Sequence, residues 1–345
     1  MPNRPRLSPA MADVRRAVRE NWEQAGVAPD DLVLVACSGG ADSLALAAAS
    51  AFEGARFAGG AVRVGAVIVE HGLQPETARV AQDTAAKLRE LGLDPVLVRP
   101  VKVNTTAGQG VEAQAREARY EALASAAAEL GAMYVALGHT LNDQAETVLL
   151  GLTRGSGPRS IAGMAATATS PTTTYLRPLL AISRQETEAF CTDSGLDFWV
   201  DPHNSDPSYT RVRIRSQVLP TLENELGPGV IANLAKTAEL LQSDLDLLDQ
   251  LGAQAFSAAA TIGATKIELQ VDALTQLHPA LRSRVFVQAL AVFGQGATKN
   301  AVNELDQLVT NWHGQKELTL PGVRVVRHGN TIALKTTKTL KPGAC

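Results

Sequence analysis

The sequence predicts an α/β fold: a doubly wound, mainly parallel sheet, joined to a second, mainly helical domain that ends in a β-hairpin. Three observations predict it. Short continuous apolar runs read as strands buried on both faces: "DLVLVAC", "VRVGAVIVEHG", "DPVLVRPV" and "AMYVALGH". Between them stand helical stretches rich in Ala, Glu and Arg: "PETARVAQDTAAKLRELG", "VEAQAREARYEALASAAAELG" and "DQAETVLLGLTR". Strands alternating with helices argue for βαβ units and a parallel sheet. After Pro220 the pattern changes to long helical periodicity, beginning with "GVIANLAKTAELLQSDLDLLDQLGAQAFSAAA". The expected division is therefore residues 1–219 and 220–345.

Individual elements carry their own punctuation. Gly92 and Gly131 close two of the helices, as glycine commonly does. "GMAATATSPTTTYLRPLL" reads as an irregular loop running into a short strand. "SRQETEAFCTDSGL" reads as a helix opened by a capping box, with Ser183 as N-cap and Glu186 three residues on. "KELTLPGVRVVRHGNTIALK" alternates like a hairpin with Gly329-Asn330 at its turn.

Bulk properties exclude several classes. The net charge is −3 over 345 residues, so any nucleic-acid contact must come from local patches. No run approaches the roughly 20 apolar residues of a membrane span. The N-terminal stretch lacks the apolar core of a secretory signal. Cys37, Cys191 and Cys345 lie far apart, which argues against a zinc site or disulfide framework and makes the cytoplasm the default compartment.

Ligands of parallel sheets sit at the carboxyl ends of the strands. There the sequence gathers "SGGADS" after the first strand, "EHG" after the second and "GHTLNDQAET" after the fourth. A strand, a Gly-containing turn and a helix start make an anion site, because free backbone N–H groups and the helix dipole point at one spot. Ser38 and Ser43 add hydroxyls; Gly39 and Gly40 let a ligand approach the backbone. Asp42 has the wrong sign for phosphate and suggests action through Mg²⁺. The stretch is neither a P-loop nor a dinucleotide fingerprint. Alone, it could equally be a capped turn.

"SGGADS" resembles the pyrophosphatase loop of N-type ATP pyrophosphatases, which split ATP into AMP and pyrophosphate and adenylate a substrate. "GVEAQAREARY", "GHTLNDQAETVLLGLTRGSGPRSIAGM", "RPLL" and "WVDPHNSDPSYTRVRIRSQVLP" resemble, in order and spacing, the tRNA(Ile)-lysidine synthetases, over roughly residues 30 to 220. The resemblance implies a Rossmann-like, adenine nucleotide alpha hydrolase-like domain. It also implies ATP and Mg²⁺ as cofactors, and as partners free lysine and the isoleucine tRNA with a CAU anticodon. In that family ATP adenylates O2 of the wobble cytidine. The lysine ε-amine then attacks C2, AMP leaves and lysidine remains.

By motif position, Ser38, Gly39, Gly40, Ala41, Asp42 and Ser43 fall to ATP, with His71, Gly138 and His139 beside them. His71 could also be a solvent-facing loop residue. Asp42, Arg116, Asp143 and Arg211 are the expected catalytic residues. Asp143 and Glu146, three apart at a helix start, are the expected carboxylate pocket for the lysine ammonium. Arg116, Arg154 and Arg215 are the expected tRNA contacts. Glu112, Arg116, Arg119 and Tyr120 share one helix face. Arg211, Arg213 and Arg215 alternate either along a strand or around a helix start. Two departures stand out: Asn142 where the family usually has Asp, and Val212 where it commonly has Asn. The basic tail with Arg327, Lys335, Lys338 and Lys341 is either a phosphate patch or merely solubilising.

Two other classes compete. Another adenylating tRNA modifier, such as a thiolase, needs reactive or cluster-binding cysteines, and three isolated ones do not supply them. A non-catalytic nucleotide sensor would not need the intact loop together with Arg116 and Asp143. No stable protein partner is required, and a homodimer is left open.

Overall fold

The computed structural model describes residues 7–57, 60–70, 75–101, 111–155, 157–201 and 206–336. By internal contacts the chain divides into two compact units, Met1–Leu241 and Gln242–Cys345.

The first unit runs α1 (Pro9–Ala25), β1 (Leu32–Ala36), α2 (Ala41–Gly54), β2 (Arg63–Glu70), α3 (Pro75–Glu90), β3 (Val96–Pro100), α4 (Val111–Leu130) and β4 (Tyr134–Leu137). It continues through α5 (Leu141–Arg154), α6 (Pro158–Ile161), β5 (Thr167–Thr169), β6 (Thr174–Leu176) and α7 (Arg184–Asp193). The sheet order is β3-β2-β1-β4-β6-β5. All neighbours pair in parallel except β5, which pairs antiparallel to β6. The stretch expected as a loop before one strand is thus a short hairpin.

β1 shows why an apolar run predicts a doubly covered strand. Val33 and Val35 point into a core shared with α1, α2, α3 and α7. Leu32 and Leu34 point into the opposite core, against Leu123, Ala126 and Ala127 of α4. This is the period-2 alternation of a strand with helices on both faces. From β1 the chain winds outward through β2 and β3, then returns to place β4 on the other side of β1. The order reverses there, and such a reversal opens a crevice at the carboxyl ends of the two strands.

Gly92 and Gly131 end α3 and α4 in the left-handed region, and the Ser183–Glu186 capping box opens α7. The basic stretch "RVRIR" is helical: α8 (Thr210–Arg213) runs into a π-helical turn (Ile214–Val218) and α9 (Leu219–Leu226). Ile214 and Leu219 are buried with Ala145 of α5, and Ile231 and Leu234 pack against them. Ile231 and Leu234 start α10 (Val230–Ala259). That packing ties residues past Pro220 to the first unit, and the contact division falls inside α10 at Leu241 rather than at residue 220.

The second unit adds β7 (Ala260–Ile262), β8 (Lys266–Gln270), α11 (Val271–Thr275), α12 (Pro279–Val292) and α13 (Lys299–Thr310). It ends with β9 (Leu318–Leu320), β10 (Val323–His328) and β11 (Thr331–Lys335). The hairpin is there, with His328 opposite Thr331 around Gly329-Asn330. Its strands, β10 and β11, are two of a five-stranded antiparallel sheet, β7-β8-β11-β10-β9. The strands missing from the sequence reading are short and mostly polar: β8 buries only Ile267 and Leu269. Among the described residues no helix is long and apolar enough to cross a membrane.

Candidate active site

The loop after β1 is built to hold its shape without a ligand. Gly39 has φ +85°, and a Cβ there would lie 2.6 Å from Thr84 Oγ1 of α3. Gly40 caps α2 in an extended conformation, so Ala41 and Asp42 open the helix. The Ser43 hydroxyl accepts from the Ser38 N–H at 3.2 Å and donates to the Gly40 carbonyl at 3.0 Å. One side chain therefore staples both ends of the loop. Gly138, leaving β4, touches the same turn: a Cβ there would sit 3.2 Å from backbone atoms of Asp42 and Ser43.

These groups line a cavity of about 560 Å³ within the first unit, together with His139, Asp143, Arg184, Trp199 and Arg215. Its floor is a charge network. Arg184, the first residue of α7, donates from Nε to Asp42 Oδ2 at 3.4 Å and from a terminal nitrogen to Asp143 Oδ1 at 3.2 Å. Thr187, one turn on, donates its hydroxyl to Asp42 Oδ1. Arg215 reaches Asp143 Oδ1 at 3.3 Å and forks onto Glu146 at 2.7 and 3.2 Å. Asp143 Oδ2 also accepts from the Thr140 N–H at 2.9 Å and the Thr140 hydroxyl at 3.1 Å.

The three carboxylates differ electrostatically. Burial opposes ionisation of Asp143, but Arg184, the Thr140 N–H and Arg215 outweigh it and hold its pKa below the usual range. Burial pushes Asp42 up, against the hydrogen bond from Thr187 and the charge of Arg184. Burial also pushes up Glu146, whose side chain is fully covered, against Arg215. Desolvation drives His139 down to about 3, so its ring is neutral. Its Nδ1 is buried with no hydrogen-bond partner among the described residues.

The sequence-expected residues sort as follows. Ser38, Gly40, Ala41, Asp42, Ser43, Gly138, His139 and Asp143 meet at the cavity. His71 lies outside the described residues, as do Lys338 and Lys341. Arg215, expected on tRNA, lines the cavity and occupies both oxygens of Glu146, which is fully covered behind it and does not itself line the cavity. Arg116 is exposed, donates to the Tyr120 hydroxyl at 3.4 Å and lies over that ring; it does not line the cavity. Arg154 is exposed in the last turn of α5. Arg211 is half-buried at the start of α8, near enough to Arg119 to oppose its charge. Arg213 clamps its own turn through the carbonyls of Pro207 and Ser208. Asn142 accepts from the backbone N–H of Arg184 at 2.9 Å, an acceptor role that Asp would fill equally.

Arg184 and Thr187 were missed. They sit in a helix whose sequence advertises only its capping box, and their partner Asp42 lies more than 140 positions away. The one available signal was an arginine at the start of a helix, where a cation opposes the dipole and so needs another reason to be there.

A family model for the PP-loop domain matches residues 12–222, and one for the TilS substrate binding domain matches residues 269–332. The tRNA(Ile)-lysidine synthase of Leifsonia xyli subsp. xyli is 51% identical over 89% of this chain and 90% of its own length. That of Salinispora tropica is 46% identical over 98% of both. Among solved structures, a U34-tRNA thiolase from Methanococcus maripaludis superposes with a TM-score of 0.56 at 19% identity, over 68% of this chain and 79% of that one. That last likeness speaks for the fold alone. The loop, the fourth-strand carboxylate and the basic helix meet in one crevice, and the relatives match nine-tenths of the chain or close to it: the chain belongs to the tRNA(Ile)-lysidine synthase family.

Proposed function

We propose that this chain is an ATP-dependent ligase that forms a carbon–nitrogen bond between free lysine and C2 of the wobble cytidine of the isoleucine tRNA with a CAU anticodon. The observation that carries the reading is the near full-length identity to the tRNA(Ile)-lysidine synthases. The cavity supports it with chemistry. Cytosine O2 attacks the α-phosphorus of ATP and pyrophosphate leaves. The neutral ε-amine then attacks C2, O2 departs on AMP, and the amine gives up a proton. The enzyme's task is to place three reactants together and stabilise charge as it moves.

Ser38, Gly39, Gly40, Ala41 and Ser43, at the N-terminus of α2, hold the leaving pyrophosphate. Ionised Asp143 faces the incoming amine. Glu146 sets the position of Arg215, and Arg215 in turn sets that of Asp143. Neutral His139 offers a hydrogen bond without adding charge. Among the described residues no group of three His, Cys, Asp or Glu is arranged to hold a metal by itself. Mg²⁺ is commonly held by one or two carboxylates and by phosphate oxygens, and half-buried Asp42 beside the loop fits that demand. When bound, Mg²⁺ neutralises phosphate charge. Arg116, Arg154 and Arg211, with the second unit, are assigned to tRNA. We place the activity in the cytoplasm, in keeping with the free thiols of Cys37 and Cys191.

The test is incubation with ATP, labelled lysine and a CAU isoleucine tRNA transcript. Label should enter the tRNA, depend on ATP and vanish with Asp42→Ala. A folded preparation that transfers no label sinks the reading. Label moving into a transcript whose wobble base is not cytidine would sink the substrate assignment alone.

A further inference from the structure

The cavity holds one cation that the network on its floor does not use. Arg119 projects from the third turn of α4 and lines the same cavity as the loop and Asp143. Every other arginine there is neutralised: Arg184 by Asp42 and Asp143, Arg215 by Asp143 and Glu146. Arg119 has no carboxylate within ion-pair distance among the described residues. Its Nε is sealed from solvent without a hydrogen-bond partner among the described residues. Among the described residues its guanidinium carbon lies 5.8 Å from the centre of the Tyr120 ring, and the charge of Asp143 acts on it beyond ion-pair distance. A second orphaned atom, His139 Nδ1, lines the same cavity.

An arginine fork left without an anion in a covered site is costly, and a bound oxyanion relieves that cost. We infer that Arg119 is the anion anchor of this cavity and takes a substrate oxyanion, either an ATP phosphate oxygen or the α-carboxylate of the amino acid. This rests on the function proposed above and adds a residue to it. Electrostatics supports it: burial lowers the Arg119 pKa, Arg116 and Arg211 deepen that, and Tyr120 and Asp143 oppose it without cancelling it. An arriving anion removes that penalty. Arg119 lines the cavity, whereas Arg116, one turn earlier on the same face of α4, does not.

The test uses the full chain with Arg119→Met or Arg119→Gln, which suit a half-buried position and either of which alone decides. Three quantities are read: pyrophosphate released with ATP and tRNA in the absence of lysine, KM for lysine, and inhibition by cadaverine, which is lysine without its carboxylate. If the anion is phosphate, pyrophosphate release falls about 10- to 100-fold and KM for lysine holds. If it is the carboxylate, KM for lysine rises by about the same factor, while cadaverine inhibition and pyrophosphate release hold. Arg119→Lys recovers part of either loss, since it restores charge without the fork. All three quantities staying near wild type overturns the proposal, as does a loss confined to tRNA affinity. An inactive wild-type chain would instead count against the ligase reading.

Discussion

Arg184 binds two carboxylates from different elements, and one of them, Asp143, owes its ionisation to that contact among others. A carboxyl held below its ordinary value stays charged as pH falls, and its contribution is lost only when pH drops through that lowered value. Arg184→Met should therefore raise the Asp143 pKa and move the acid limb of the pH–rate profile to higher pH; an unmoved limb would contradict the pairing. Asp143→Asn should abolish lysine transfer while circular dichroism stays native. His139 has the opposite sense. Its folded value is about 3, against 6.5 unperturbed, so the unfolded chain takes up a proton that the folded one refuses, and stability falls as pH drops between those values. An NMR titration should show no His139 inflection between about pH 5 and 8. Much of this was legible residue by residue. Asp42, Asp143 and the serines lie in motifs next to the strands that carry them. Arg184 and Thr187 were not, because their partners come from the other end of the domain and only folding brings them together.

At the level of elements, the site depends on close approaches and on paired ends. Gly138→Ala would press a methyl group against the Asp42–Ser43 backbone at 3.2 Å and push the loop off β4. Its cost, about 1–3 kcal/mol of overpacking, should show as weakened ATP binding more than as lost fold. Arg215→Met would leave Glu146 buried without its partner, at a cost of about 3 kcal/mol or more. Denaturant unfolding measures it, and Glu146→Gln in the same chain should return much of the loss. The motif spacing also finds its reason here. Gln144 of α5 exchanges hydrogen bonds of 2.8 and 2.7 Å with the backbone of Met164, so "DQAET" and "GM" are two halves of one clamp. The strands of the first sheet were readable because both faces are apolar. The hairpin of β5 and β6 was not, because its Ser- and Thr-rich sequence reads as a loop until β4 supplies an edge to pair with.

For the whole molecule, the two largest hydrophobic cores among the described residues fall one in each unit. One is centred on Trp22, Leu44 and Phe190, the other on Phe286, Leu305 and Val325. Separate cores predict unfolding that departs from a single two-state transition. Phe286→Ala, worth about 3–5 kcal/mol, should lower one calorimetric transition and leave ATP binding in place. The sequence placed the division where composition changes. The contact division of the structure falls later, between Leu241 and Gln242, because Ile231 and Leu234 complete a small core on α5. The chemistry proposed for this chain requires that cytidine O2 leave on AMP. The most direct measurement is mass spectrometry of AMP after reaction of a transcript carrying oxygen-18 at C2 of the wobble cytidine. The heavy oxygen should appear in the AMP phosphate as lysidine forms; lysidine formed with unlabelled AMP would contradict adenylation at O2.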